Sequence, residues 1–451
     1  MQQRLRPVRT GLCLIAIATT LVACAPSAKH TVDTGATSSV VTDPAKMGTV
    51  TLDEVDFWQG AEGKWMQDTI DAFHTKYPNI TVKRTVKDWS SIMDTLTLRL
   101  DEEGAPDVVT VNNGWQSMGR LAKGGLIVNL DPYAEAYKWR DFMPSTILRQ
   151  EQFTTDGKTM GEGAMWAAPS ARVQNIGVYY NKKLIQQLGL TDPTTLDEFE
   201  KVCAAAKAAG LTPIAYGQTD KPISPLFALS DVLGSKDAIS DAVYGKAGTD
   251  LTATGLGLAA QRFLDWDKKG WVMDNYQGLS STDANAKFLA GKAVFAFYYS
   301  GLVPSDQKNR ADFGYLQLPQ AADNKTIVAT GAPADNMAIG IRSAHKDAAA
   351  LFLDFLMSKE AAQITADHGY MPSLHDVTIP QDDPLIVQEA TAAQQTEADN
   401  GYVPYFDWTT PTMLDTTASQ MQLVLAGKTT PDGLVAAAQK DFDAFVATNA
   451  K

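Results

Sequence analysis

Short apolar runs alternate with helical stripes along most of this chain. Residues 50–58, from Val50-Thr-Leu52 to Phe57-Trp58, are too few and too rich in β-branched and aromatic side chains for a helix, so they predict a strand. A glycine-bearing turn at 59–63 leads to Trp65, Thr69, Phe73 and Tyr77, a helical stripe that ends at Pro78-Asn79. Residues 80–86 and 106–111 read as second and third strands, with Ile92 and Leu96 on a helix between them. After the polar turn 170–175, Ile176-Gly-Val-Tyr-Tyr180 predicts a buried strand. Asn181 caps a helix carrying Leu184, Ile185 and Leu188 on one face, and Gly189 stops it. Thr195-Leu-Asp-Glu198 is a capping box opening the stripe Leu196, Phe199, Cys203 and Ala206, which Gly210 ends before a strand at 211–217. Further helices are expected at 224–234, 252–269, 348–357 and within 412–445. The first three strands, alternating with helices, imply a parallel sheet covered on both faces.

The run Asn175-x-Gly177-Val-Tyr-Tyr-Asn181-Lys-Lys-Leu184 is followed by Gly189-Leu190, Pro193, Thr195-Leu-Asp-Glu198-Phe199 and Gly210-Leu-Thr-Pro-Ile-Ala-Tyr-Gly217. In that order it resembles the extracellular solute-binding proteins of ABC importers, above all the branch holding maltose-binding and other oligosaccharide receptors. Further matching stretches run from about Val50 to the C-terminus. The resemblance implies a periplasmic-binding-protein-like α/β fold with two discontinuous lobes, joined by hinge crossings and holding a ligand cleft between them. Lobe 1 is expected to comprise 47–171 and 321–370, and lobe 2 to comprise 172–320 and 371–451. The crossings fall at 172–174, at Phe313-Gly-Tyr-Leu-Gln-Leu-Pro319 and at Gly369-Tyr-Met-Pro372. Relatives often close the stretch after Phe288-x-x-Gly291 with Gly-Pro-Trp or Gly-Ser-Trp. Here Tyr299 and Gly301 stand at the usual glycine and tryptophan, which moves the stacking aromatic to Tyr298 or Tyr299.

Length changes the picture little: 451 residues suit two cores rather than one. The N-terminus changes it more. Arg4, Arg6 and Arg9 precede a short apolar run and Leu21-Val-Ala-Cys24, which together read as a signal peptide (1–23) ending in a stretch that resembles a bacterial lipobox. Cys24 would be the lipidated first residue, and 24–46, rich in Ser, Thr, Ala, Pro and Gly, a flexible tether. Only Cys203 then remains as a thiol, on an apolar helix face, where it serves as a small core residue. Loss of three arginines takes the net charge from −13 to −16, which argues against nucleic acid and anionic lipid headgroups as partners.

In a parallel sheet, ligands bind beyond the carboxyl ends of the strands. Those ends bring Trp58, Gln59, Asp88, Trp89, Asn112, Asn113 and Trp115 into consideration. A sugar offers apolar C–H faces to aromatic rings and hydroxyl edges to amides and carboxylates. Tyr298, Tyr299, Tyr370 and Trp408 are further candidate platforms, and Phe227 stands close to where the resembled family often places one. Arg172, Gln174, Ser300, Gly331 and Asp335 are the remaining candidate contacts, while Glu62 starts a helix as readily as it meets a ligand. The five histidines form no metal-spaced pair, neither a nucleophile elbow nor a P-loop occurs, and Gly255-Leu-Gly257 lacks the preceding strand of a dinucleotide site. The expectation is therefore a binding protein without enzymatic activity, cofactor or metal. It would be a lipid-anchored monomer on the outer face of the cell membrane, delivering a mono- or oligosaccharide to the transmembrane subunits of a permease. The alternatives are a receptor for a polyamine or peptide and a secreted glycoside hydrolase.

Overall fold

The computed structural model describes residues 39–333 and 336–449. The expected signal peptide, Cys24, residues 24–38 of the expected tether, and Asp335 lie outside the described residues.

Strands β1 (Val50–Asp56), β2 (Ile80–Val86) and β3 (Val108–Val111) form as the apolar runs require, with β1 parallel to both neighbours. The helices between them, Gly60–Lys76 and Trp89–Asp101, bury Trp65, Ile70 and Phe73, and Ile92 and Leu96, respectively. A small hairpin, β4 (Gln152–Phe153) with β5 (Ala164–Met165), precedes β6 (Val173–Asn181), the longest strand. Strand β6 starts three residues before the expected position, because Val173, Gln174 and Asn175 pair antiparallel with a later strand. Asn181 Oδ1 then accepts from Leu184 N at 3.1 Å as the expected cap, and Thr195 Oγ1 accepts from Glu198 N at 3.3 Å. The Glu198 carboxylate reaches Thr194 N at 2.8 Å, one residue earlier than a standard capping box.

Strands β7 (Ile214–Ala215), β8 (Phe295–Tyr299), β9 (Phe313–Leu316) and β10 (Ala329–Pro333) gather around β6. Strand β11 (Asn336–Ile339) returns antiparallel to β3, and β12 (Tyr402–Val403) extends the second sheet beside β10. The sheet orders are β11-β3-β1-β2 and β12-β10-β6-β8-β7, with β9 also on β6. Two α/β lobes result, the first packed on Leu52, Trp65, Phe73 and Phe352, the second on Phe199, Trp266 and Phe295.

Three passages link the sheets. The chain leaves the first after Ala168, which bridges Met337, returns between β10 and β11, and leaves again where Val173 N donates to Met371 O at 2.9 Å. The sequence places the second boundary at 320/321, yet β10 still belongs to the second sheet, because Gly331 and Pro333 pair with Asn175 and Val173. The expected tether also ends early. Pro44–Lys46 is a 3-10 turn held by Asn79 Nδ2, which donates to Pro44 O at 3.0 Å.

Candidate functional site

The carboxyl ends of the strands open into a cleft of about 1060 Å³ between the lobes. Lobe 1 supplies Trp89 and Met93 from the helix after β2, Asn112 and Asn113 from the end of β3, and Gln116 and Arg120 just beyond. Lobe 2 supplies Gln174 from β6, Tyr298, Tyr299 and Ser300 from the end of β8, the loop from Gly217 into the helix Ser224–Leu233, and the segment from Tyr405 into the helix Met413–Leu425.

Glycines set two of these approaches. A Cβ on Gly217 would lie 2.1 Å from Ser280 O, so only glycine lets the loop after β7 turn beside that carbonyl. A Cβ on Gly114 would lie 2.6 Å from Trp408 Cβ and 2.7 Å from its Cα. The two lobes therefore touch at the base of the cleft. Beside that contact Gln116 Nε2 donates to Asp407 Oδ2 at 3.2 Å, and Trp115 packs edge-on to Phe445 at 4.8 Å between centroids.

The cleft is aromatic and acidic. Tyr299, Tyr405 and Trp408 form a chain of rings 6.0 and 5.1 Å apart on the lobe 2 side, and Trp89 meets Phe57 edge-on at 4.8 Å on the lobe 1 side. Carboxylates outnumber cations: Glu62, Asp94, Asp220, Asp407 and Asp415 face the space together with Arg120 and Lys221. Lys221 pairs with Asp415, and Arg172 Nη1 donates to Glu62 at 2.7 Å, while Asp220 accepts from Ser281 N. Burial lifts the Asp407 carboxyl to about 6, against the opposing hydrogen bond from Gln116. Burial also raises the Tyr298 hydroxyl to about 12, with the Glu62 charge adding to it.

Of the residues singled out from sequence, the cleft gathers Trp89, Asn112, Asn113, Gln174, Tyr298, Tyr299, Ser300 and Trp408, together with Glu62. Others lie elsewhere. Trp58 is fully buried and packs edge-on to Trp65, because its side chain turns under the helix that follows β1. Trp115 points away from the cleft onto Phe153 and Phe445, and Phe227 sits in the lobe 2 core 6.0 Å from Phe406. Tyr370 stacks behind Arg172, whose guanidinium lies 5.0 Å from its ring and 5.4 Å from that of Trp65. Arg172 therefore orients Glu62 and lies outside the lining itself. Gln59 and Asp88 are exposed and bond to each other at 3.3 Å outside the cleft, and Gly331 lines a different cavity. The cleft adds Gln116, Asp220, Tyr405 and Asp407, which sequence reasoning did not select. Gln116 stands one residue after a strand-end tryptophan that was selected, and Asp220 follows an expected strand end. For Tyr405 and Asp407 no local pattern gives a signal.

Residues 58–363 match the family model described as bacterial extracellular solute-binding protein. An ABC transporter extracellular-binding protein of Pyrococcus horikoshii is 23% identical over 289 residues, 62% of this chain and 63% of its own length. A probable sugar-binding periplasmic protein of Brucella suis is 29% identical over 180 residues, 39% of each chain, so the chain spans 63% of the length of the first relative and 39% of the second. The solved structure of a chitin oligosaccharide binding protein overlays with a TM-score of 0.73 at 18% identity, covering 88% of this chain and 99% of its own. A raffinose complex gives 0.66 at 20% identity, over 88% and 100%. At such identities the overlays establish the fold.

Proposed function

This chain belongs to the bacterial extracellular solute-binding proteins, and on that premise we propose that it is the substrate receptor of an ABC importer that takes an oligosaccharide into the cleft between its lobes. The observation that carries the reading is that one cleft is lined by aromatic faces from both lobes together with amide and carboxylate edges: Trp89 from lobe 1, Tyr299 and Trp408 from lobe 2, and Asn112, Gln116 and Gln174 in the same lining. A space of about 1060 Å³ lies just above the usual ~300–1,000 Å³ of small-molecule pockets, and so favours several sugar rings over one. Names borne by relatives point the same way, since a Streptococcus mutans relative is described as a multiple sugar-binding protein.

The mechanism is closure. Three short passages join rigid lobes, so rotation about them opens and shuts the cleft while each core stays intact. A ligand touching both walls favours the shut form by its differential affinity, and the shut form is what a permease would recognise. The chain acts without catalysis and as a monomer in this reading. Lipid on Cys24 holds it at the outer face of the membrane, and since a single acyl chain binds only marginally, more than one is required.

A thermal-shift screen of the chain from Thr49 onward against di-, tri- and tetrasaccharides tests the ligand, because binding to the folded form alone raises the melting temperature. One responsive sugar class is expected. A shift with polyamines or peptides and none with any sugar would move the assignment to a cationic ligand, which the surplus of carboxylates in the cleft would suit. For the anchor, Cys24→Ala should release the protein into the medium, and retention on the membrane would defeat it.

A further inference from the structure

At the base of the cleft, lobe 1 offers the turn Trp115–Gly119 and lobe 2 the 3-10 turn Phe406–Thr409. A carboxyl is buried where they meet. Asp407 belongs to the cleft lining yet is only 6% exposed, and the group it meets is the Gln116 amide of the other lobe, whose Nε2 donates to Asp407 Oδ2 at 3.2 Å. Asp407 Oδ1 and Gln116 Oε1 are both buried as well, and neither has a partner among the described residues. An ionised carboxyl can only accept, so it leaves both of these oxygens unmet, at a cost. With a proton it also donates, and Gln116 Oε1 is an acceptor on the amide already in contact. The elements packed against the turn Phe406–Thr409 carry Lys236, Asp237 and Asp241 on the helix Lys236–Val243 and Asp415 on the helix Met413–Leu425, and Arg120 follows the turn Trp115–Gly119. Lys236 donates to the carbonyls of Asp399 and Asn400, Asp241 pairs with Lys246, and Asp415 pairs with Lys221. None of these charges shifts Asp407: burial raises its carboxyl, opposed by hydrogen bonds from Gln116 and from its own backbone.

We propose that Gln116 and Asp407 form a proton-operated latch between the lobes, engaged when the carboxyl is protonated, so that the receptor shuts more readily and holds its ligand more tightly in acid than at neutral pH. This latch rests on the hinge closure proposed above, and it holds for any ligand that touches both walls. Opening parts the two turns and returns Asp407 to water, where its carboxyl takes the ordinary value of 3.8, whereas in the shut form it stands at about 6. The shut form therefore binds the proton more tightly. By linkage its advantage is complete in acid, below the lower value, and is lost as pH rises through about 6. Between about pH 5 and about pH 7.5 the ratio of shut to open forms should fall about tenfold.

The test needs no ligand. In the soluble chain from Ala25 onward, whose one cysteine is the buried Cys203, spin labels at the exposed positions Thr81→Cys in lobe 1 and Ala208→Cys in lobe 2 report the distance between the lobes by pulsed electron paramagnetic resonance. Two distance populations are expected, with the ratio of shut to open about tenfold higher at about pH 5 than at about pH 7.5. Asp407→Asn, whose amide does not ionise, should abolish this pH response. Should that variant not fold, Gln116→Ala, which uncovers the carboxyl, should abolish it as well. The same distribution at both pH values, or a response that survives in the variant, would overturn the latch. Calorimetric affinity for a responsive sugar should rise about tenfold over the same interval. If no sugar binds, the lobe distances still decide the latch, so its failure is distinct from failure of the carbohydrate assignment.

Discussion

The two walls of the cleft are built differently, and a buried carboxylate behind each shows how. Behind the lobe 1 wall, Glu151 accepts from Asn113 Nδ2 at 3.2 Å and from Asn336 Nδ2 at 2.7 and 2.8 Å, so the residue that holds Asn113 in place is itself well bonded. On the lobe 2 wall, Asp407 accepts from Gln116 across the cleft at 3.2 Å, and its Oδ1 is buried with no partner among the described residues. Lobe 1 is thus a pre-built face resting on its own sheet. Lobe 2 presents a face whose acid depends on the other lobe. A hinged receptor needs this asymmetry somewhere, since a contact made only across the cleft distinguishes shut from open.

Asp407→Asn should sharpen the contrast most. Folding raises this carboxyl from 3.8 to about 6, so the folded chain holds the proton more tightly than the unfolded one. The resulting penalty on stability is absent below pH 3.8, grows as pH rises through that interval, and is complete above about 6, at up to about 3 kcal/mol. Asparagine removes it. Melting temperature should therefore rise near neutral pH and be unchanged in acid, whereas an equal shift at both would show that Asp407 is solvated. Gly114→Ala should come next. Its new Cβ meets Trp408 at 2.6 Å, and overpacking of ~1–3 kcal/mol would hold the lobes apart. Sugar affinity should fall about 10- to 100-fold with the fold intact by circular dichroism.

Smaller effects follow at the rings. Tyr299→Ala, on the lobe 2 wall, should weaken binding about tenfold through lost stacking worth about 1.5 kcal/mol. Trp89→Ala, half-buried at the lobe 1 rim, should cost less, about 0.5–1 kcal/mol. If Trp89 proved the more costly of the two in a calorimetric comparison, the pre-built wall rather than the closing one would dominate recognition.

Much of the architecture was legible in the hydrophobic pattern, because its strands are short buried runs and its helices carry single apolar faces. The alternation of β1, β2 and β3 with their helices and the cap at Asn181 appear where the pattern puts them. Strand boundaries were less legible. Val173–Asn175 looked like a turn because its partner in β10 lies more than 150 residues away, and local pattern carries no register over that distance. In the site, position at a strand end was readable and the direction of the side chain was not. Trp58 and Trp89 both follow parallel strands, yet one turns under a helix onto Trp65 and the other faces the cleft. Trp115 packs away onto Phe153 and Phe445 while the next residue, Gln116, lines the cleft, which composition alone could not foretell. The segment Tyr405–Pro411, which includes the short 3-10 turn Phe406–Thr409, has neither helical nor strand period, and it follows β12, which pairs with β10.

The most direct test of the central claim is a calorimetric titration of an oligosaccharide series into the chain from Thr49 onward and, in parallel, into Gly114→Ala. One-to-one binding of one sugar class, weakened at least about tenfold in the variant, is the expected result. Equal affinity in both proteins would mean that the ligand does not require the lobes to meet, and heat from no sugar at all would contradict the carbohydrate assignment.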